Sequence, residues 1–498
     1  MVGIPGRSKA CLTCLRRRKA CDLRRPGCKQ CQRLGLECKW FKHQTIFVEA
    51  NVRTTLDPNG KNRTLLISST SSSTPRQHSL PEATLGRLTH SLQRSTTQAQ
   101  HISLFLEGYL PKSQNALSNI PNCSTVSWIV TACAESNHDD KHVMFRLAVI
   151  ACSLCMLGFE QGNDGIIREG RLTYGRAILQ LKEGLKNVND TNKLALVKSA
   201  RMLSLFEILF GLENQLDSAQ GQAWTFHNHG ELNLLLSGNP HMYKSGEAHQ
   251  VFADGRLHLA AANIYTRKSS VLIAEQWKTV PWLGRSKTPK DLLLDLFIEI
   301  PRLFETLDTL RTRSQYDDEQ ELIQPLMADC RQLGNELKSW YLKTGSKTES
   351  HVRKAMVEKD GRASVEHLAS AQLIVLYWCC LLLCTELQRA LAERYESCIT
   401  AEILNTKDLQ TICGNILEVI AIFLNPHSGW FGANLAACPL LLVYNQIERK
   451  AHMGLMEKES FMLRNILNTA KGKILGAFIR NATWSRVTKP SVSRYFAN

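Results

Sequence analysis

The chain has 498 residues, 44% hydrophobic and 21% charged, which is long enough for more than one domain and ordinary for a globular protein. Its formal charge is +16, yet residues 1–43 hold twelve Lys/Arg against two acidic side chains, a local +10 that leaves +6 for the remainder. That concentration excludes a general polycation, such as a membrane-coating protein, and points to one short segment that meets an anionic partner.

In chain order, the opening MVGIPGRSKA carries no apolar core of signal-peptide length. The odd total of seventeen cysteines, several inside apolar runs, argues for a reducing compartment. Next comes CLTCLRRRKACDLRRPGCKQCQRLGLEC, from Cys11 to Cys38, in which Cys-x2-Cys-x6-Cys is written twice with six residues between the copies. A disulfide knot conflicts with the compartment. Unrelated buried thiols do not explain a duplicated spacing in so polar a stretch. Metal binding explains both features. A Cys-x2-Cys turn brings two sulfurs to one zinc, and structural zinc takes four ligands in a tetrahedron. Six thiolates serve two zinc ions only if two of the sulfurs bridge. The resulting cluster is anionic, so basic side chains and backbone N–H groups around it are stabilising. The halves differ: LRRRKA between Cys14 and Cys21 is densely cationic, whereas QRLGLE between Cys31 and Cys38 is not.

The six cysteines, the basic run after the second, Asp22 after the third and Pro26 two residues before the fourth resemble the DNA-binding module of fungal binuclear zinc cluster transcription factors. The resemblance implies two zinc ions per chain. Cys11 and Cys28 would bridge them, Cys14 and Cys21 would complete one site, and Cys31 and Cys38 the other. It also implies a nuclear protein that docks a basic helix in the major groove of double-stranded DNA, at a CGG-like element, and regulates RNA polymerase II genes through the transcription machinery. The family's reading position, four after the second cysteine, is Arg18 here. Arginine can donate two hydrogen bonds to guanine, while Arg16, Arg17, Lys19, Arg24, Arg25 and Lys29 are expected on phosphates. Two positions depart from the family's habit: Leu15 stands where a basic residue is usual, and Ala20 where lysine is usual, with Lys19 one step away. RRRK also fits a nuclear import signal. The alternative function is a zinc-stabilised protein-interaction module that grips acidic partners without reading bases.

Residues 44–100 read as a largely disordered linker, with an unbroken Ser/Thr run from Ser68 to Thr74 before Pro75. Leu85, Leu88 and Leu92 make one helical stripe, but RSTTQAQH follows and no heptads are sustained. A homodimer is left open without support.

Residues 101–485 predict one large all-α regulatory domain, followed by a tail at 486–498, so the fold class is mainly α. Expected helices cover 142–157, 172–185, 194–210, 292–300, 365–387 and 412–424; Tyr174, Ile178, Leu181 and Leu185 mark one amphipathic face. A polar loop is expected over 311–321. The longest apolar run, LIVLYWCCLLLC (373–384), is twelve residues, short of the roughly 20 that span a membrane, so no membrane partner is expected. HNHGELNLLLSGNPHMY (227–243) and VLIAEQWKTVPW (271–282) resemble the second common type of fungal-specific regulatory domain. No catalytic signature of the common kinds occurs, so no enzyme is expected. His227 and His229 read as residues of a polar loop, Cys152 and Cys155 as core, and Trp224, Trp277 and Trp282 as packing rather than an effector pocket.

Overall fold

The computed structural model describes residues 13–14, 17, 21–22, 24, 28–36, 38, 82–112, 124–136, 142–211, 219–312, 317–357, 365–394, 406–451 and 456–482. The chain divides into two compact units, Met1–Ser79 and Leu80–Asn498. Among the described residues every regular element is helical and none is a strand, as the absence of alternating patterns predicts.

Among the described residues of the first unit stands the single-turn helix α1 (Lys29–Gln32). Their core consists of sulfur: Cys14, Cys28 and Cys31 are fully buried, with Cys21 and Cys38 packed against them.

The second unit starts with α2 (Glu82–Tyr109) and α3 (Ser124–Ser136). Residues 82–100, expected in the linker, are therefore helical; the stripe that begins at Leu85 runs on into HISLFLEGY and forms one continuous helix with it. Then come α4 (Val143–Gln161), α5 (Asp164–Gly184), α6 (Lys193–Phe210), α7 (Ala219–Leu236) and α8 (Gly246–Thr266). The helices α4 and α5 form a hairpin whose turn is written in GND. Gly162 takes the left-handed conformation (φ 62°), and Asn163 N–H returns to the Gly158 carbonyl at 2.8 Å. The Asn163 side chain then caps α5, accepting from the N–H groups of Gly165 and Ile166. Gly170 lets the two helices meet, since a Cβ there would stand 2.6 Å from the Cys155 sulfur.

The later helices are α9 (Glu275–Thr279), α10 (Pro289–Thr312), α11 (Asp317–Trp340), α12 (Ser346–Val357), α13 (Val365–Arg394), α14 (Thr406–Leu424), α15 (Gly429–Ala451), α16 (Glu457–Asn468) and α17 (Ala470–Asn481). The loop expected over 311–321 is shorter than read, because α11 already begins at Asp317. Buried side chains of the second unit form one continuous core, and α13 packs against α10, α11, α12, α14 and α15.

By composition, Val143–Gln161 and His367–Ala392 are long and apolar enough to cross a membrane, as is a third stretch if the bent pair Leu409–Leu424 and Pro426–Arg449 counts as one. The twelve-residue run thus understated α13, whose flanking small residues extend it. Within the fold 72% of that stretch is buried, and a helix wrapped by others needs no polar face.

Candidate metal centre and nucleic-acid interface

Folding of the first unit converges the sulfurs. Cys14 Sγ lies 3.6 Å from Cys28 Sγ and 3.9 Å from Cys31 Sγ. Four sulfurs about 2.3 Å from a shared zinc stand about 3.8 Å apart, so this donor set fits the metal. Two groups of potential ligands form: Cys14, Cys28 and Cys31 in one, Cys21, Asp22 and Cys28 in the other. Cys28 belongs to both. Cys14 and Cys31, which the resemblance assigns to different zinc ions, stand at the separation of ligands on one. Cys11 lies outside the described residues.

Backbone donors point at these sulfurs. Cys28 caps α1 and its Sγ accepts from Cys31 N–H at 3.4 Å; Cys38 Sγ accepts from Cys28 N–H at 3.3 Å. Such bonds offset the negative charge of thiolates that share metal. Asp22 accepts from Lys29 N–H at 2.9 Å, which ties the third cysteine's segment to the turn after the fourth. Of the expected DNA-contacting cations, Arg17, Arg24 and Lys29 are described and all are exposed. The Arg24–Asp22 approach of 3.9 Å is too loose and too wet to hold Arg24 away from a phosphate. Arg16, Arg18, Lys19 and Arg25 lie outside the described residues.

Potential ligands gathered about Cys28, with exposed cations beside them, suit metal binding by the cysteines. Residues 9–45 match the fungal Zn(2)-Cys(6) binuclear cluster domain. No curated protein and no solved structure matches the chain. The Zn(2)-Cys(6) domain binds zinc through its cysteines and is a DNA-binding element of transcription factors, not an enzymatic one. Its match ends at residue 45 and does not reach 227–243 or 271–282.

The helical unit holds polar groups that sequence reasoning placed elsewhere or missed. His227 and His229 lie within α7, not in a loop. His227 Nε2 meets the Tyr174 hydroxyl at 2.9 Å, and that hydroxyl donates to Glu207. Glu207 on α6 was missed; its only signal was a lone acid inside the apolar run LSLFEILF. The cysteines behave as read: Cys152 and Cys155 are fully buried, and burial pushes the Cys155 thiol up to about 12. Trp277 and Trp282 are core, Trp282 lying under the Arg256 guanidinium. Trp224 is buried as well, but it also borders a cavity.

Burial pushes the Glu207 carboxyl up to about 7 against the opposing pull of the Tyr174 hydrogen bond, and burial lowers His227 to about 4. From the ordinary carboxyl value of 4.5 up to about 7, the folded chain keeps a proton at Glu207 that the unfolded chain has lost, so this residue makes stability fall as pH rises. His227 acts in the opposite sense from about pH 4 to 6.5, since there the unfolded chain is the one holding the extra proton. Glu207→Gln should expose the His227 slope. Relative to wild type, the variant should gain about 3 kcal/mol between pH 4.5 and 7, read by urea denaturation of the helical circular dichroism signal. Parallel wild-type and variant pH profiles would refute the assignment.

Proposed function

We propose that this protein is a nuclear, sequence-specific transcription factor regulating RNA polymerase II genes, in which two zinc ions organise residues 1–43 for DNA. By the family resemblance, Cys11, Cys14, Cys21, Cys28, Cys31 and Cys38 would hold the two ions, with Cys11 and Cys28 shared, Cys14 and Cys21 completing one site and Cys31 and Cys38 the other. The observation that carries this reading is the place of Cys28 in both groups of potential ligands, inside a segment that matches a binuclear cluster domain. Arg18 reads guanine in a CGG-like element, while Arg16, Arg17, Lys19, Arg24, Arg25 and Lys29 hold phosphates. The helical unit acts as the regulatory domain that adjusts this output through the transcription machinery; its likeness at 227–243 and 271–282 to the second type of fungal regulatory domain supports that role.

The test is competition for the zinc-loaded protein between a CGG-bearing duplex and its scrambled counterpart. Preference for the CGG duplex is expected, and equal affinity for both would favour a protein-interaction module instead. The two classes of basic residue should separate. Arg18→Ala should lose about 1–3 kcal/mol of discrimination at one base pair. Arg17→Ala should weaken all duplexes alike and lower the salt slope by about one. Uniform weakening by Arg18→Ala would remove it from base readout.

A further inference from the structure

A cavity of about 140 Å³ opens where α2, α3, α6, α7, α8, α10, α13, α14, α15 and α17 converge. Its wall is chiefly apolar and rich in aromatic rings, among them Trp128, Phe297 and Phe431. Two residues of that wall carry buried donors. Trp224 is 3% exposed, and its indole N–H has no hydrogen-bond partner among the described residues. Arg201 is 4% exposed; its Nε donates to Glu231 at 3.0 Å and its Nη2 to the Val251 carbonyl at 2.7 Å, and its guanidinium lies over the Trp128 ring, but its buried Nη1 has no hydrogen-bond acceptor among the described residues. Buried N–H groups are ordinarily satisfied, so two of them on residues that border one hole call for an acceptor. An apolar cavity of similar size admits a benzene-sized molecule.

The charge balance defines the acceptor. Arg201 is already neutralised by Glu231, which also takes a hydrogen bond from His258 Nε2 at 2.7 Å. Burial lowers His258, outweighing the pull of the Glu231 charge. Asp254 adds a carboxyl group to the same wall. An incoming anion would meet no uncompensated positive charge there.

We propose that this cavity is a binding site for a neutral, mostly apolar small molecule bearing one carbonyl or hydroxyl oxygen, anchored by the Trp224 indole N–H and Arg201 Nη1. The apolar body fills the ring-lined space, and the single oxygen accepts from the two donors. This site lies within the helical unit and does not depend on the DNA-binding reading.

Three probes titrated into the full-length, zinc-loaded protein test it by ligand-observed NMR. Acetophenone carries the ring and the carbonyl, α-methylstyrene is its isostere without oxygen, and benzoate is the anion. Acetophenone should bind at least about tenfold tighter than α-methylstyrene, since the alkene leaves both buried donors without the oxygen they share, and benzoate should bind more weakly than either. In Trp224→Phe, with helical content checked by circular dichroism, acetophenone's advantage should shrink severalfold. Absence of acetophenone binding, equal affinity for the ketone and the alkene, or tighter binding of benzoate would overturn the proposal, and these readings use the wild-type protein alone. An undiminished preference in a folded Trp224→Phe protein would overturn the indole anchor.

Discussion

Cys28→Ser should strip the protein of zinc and lower its affinity for DNA by at least about 100-fold. Among the described residues of the first unit, the buried side chains are the sulfurs of Cys14, Cys28 and Cys31. A segment this short does not fold on burial alone, and in such modules the free energy of metal binding, about 10–16 kcal/mol for structural zinc, is the free energy of folding. Cys28 is the most damaging place to cut because it belongs to both groups of potential ligands and caps α1 with its own Sγ. Serine puts a hydroxyl in place of the capping sulfur but is a poor zinc ligand at neutral pH, so the variant separates metal binding from helix capping. Cys413→Ser is the control. That thiol is buried in the helical unit and raised to about 12 by burial, so its loss should leave zinc content and DNA affinity unchanged. Elemental analysis that finds two zinc ions in Cys28→Ser, or full DNA binding by that variant, would end the bridged-cluster account.

Glu231→Ala should destabilise the helical unit by about 3–5 kcal/mol. Arg201 and Glu231 are 4% and 0% exposed, and removal of one partner leaves the other charge buried alone. Burial works to raise the Glu231 carboxyl, but the Arg201 charge, with His258 beside it, holds it below its usual range. The pair is therefore ionised at neutral pH. The same reasoning makes the double change informative. Arg201→Met with Glu231→Leu removes both charges, and replacement of a buried pair by apolar groups is often neutral or better. The double variant should recover most of the stability lost by the single one. Urea denaturation followed at a helical wavelength measures both, and a loss below about 1 kcal/mol for Glu231→Ala would show that solvent reaches the pair.

The sequence by itself determined the metal chemistry, the helical class and the order of most helices. Ligand spacing is local: Cys-x2-Cys closes one turn whatever surrounds it, and RRRK lies between Cys14 and Cys21. Helical periodicity is local too, as Tyr174, Ile178 and Leu181 show, and the hairpin turn is written in Gly162 and Asn163. Where local rules failed, tertiary contact had overruled them. The start of α2 at Glu82 was hidden by a weak polar stretch that leads into a strongly apolar one. His227 and His229 sit in polar text, and only packing against α6, α8 and α17 makes their segment a half-buried helix. Only the tertiary structure decided which charges share a core. Lys198 finds Glu135 and Glu247, Arg201 finds Glu231, and Tyr174 joins Glu207 to His227. It also decided that helices drawn from almost the whole length of the second unit leave a hole where they meet, with Trp224 on its wall. No periodicity encodes such a meeting, because the residues that border it lie up to hundreds of positions apart and only packing brings them within reach.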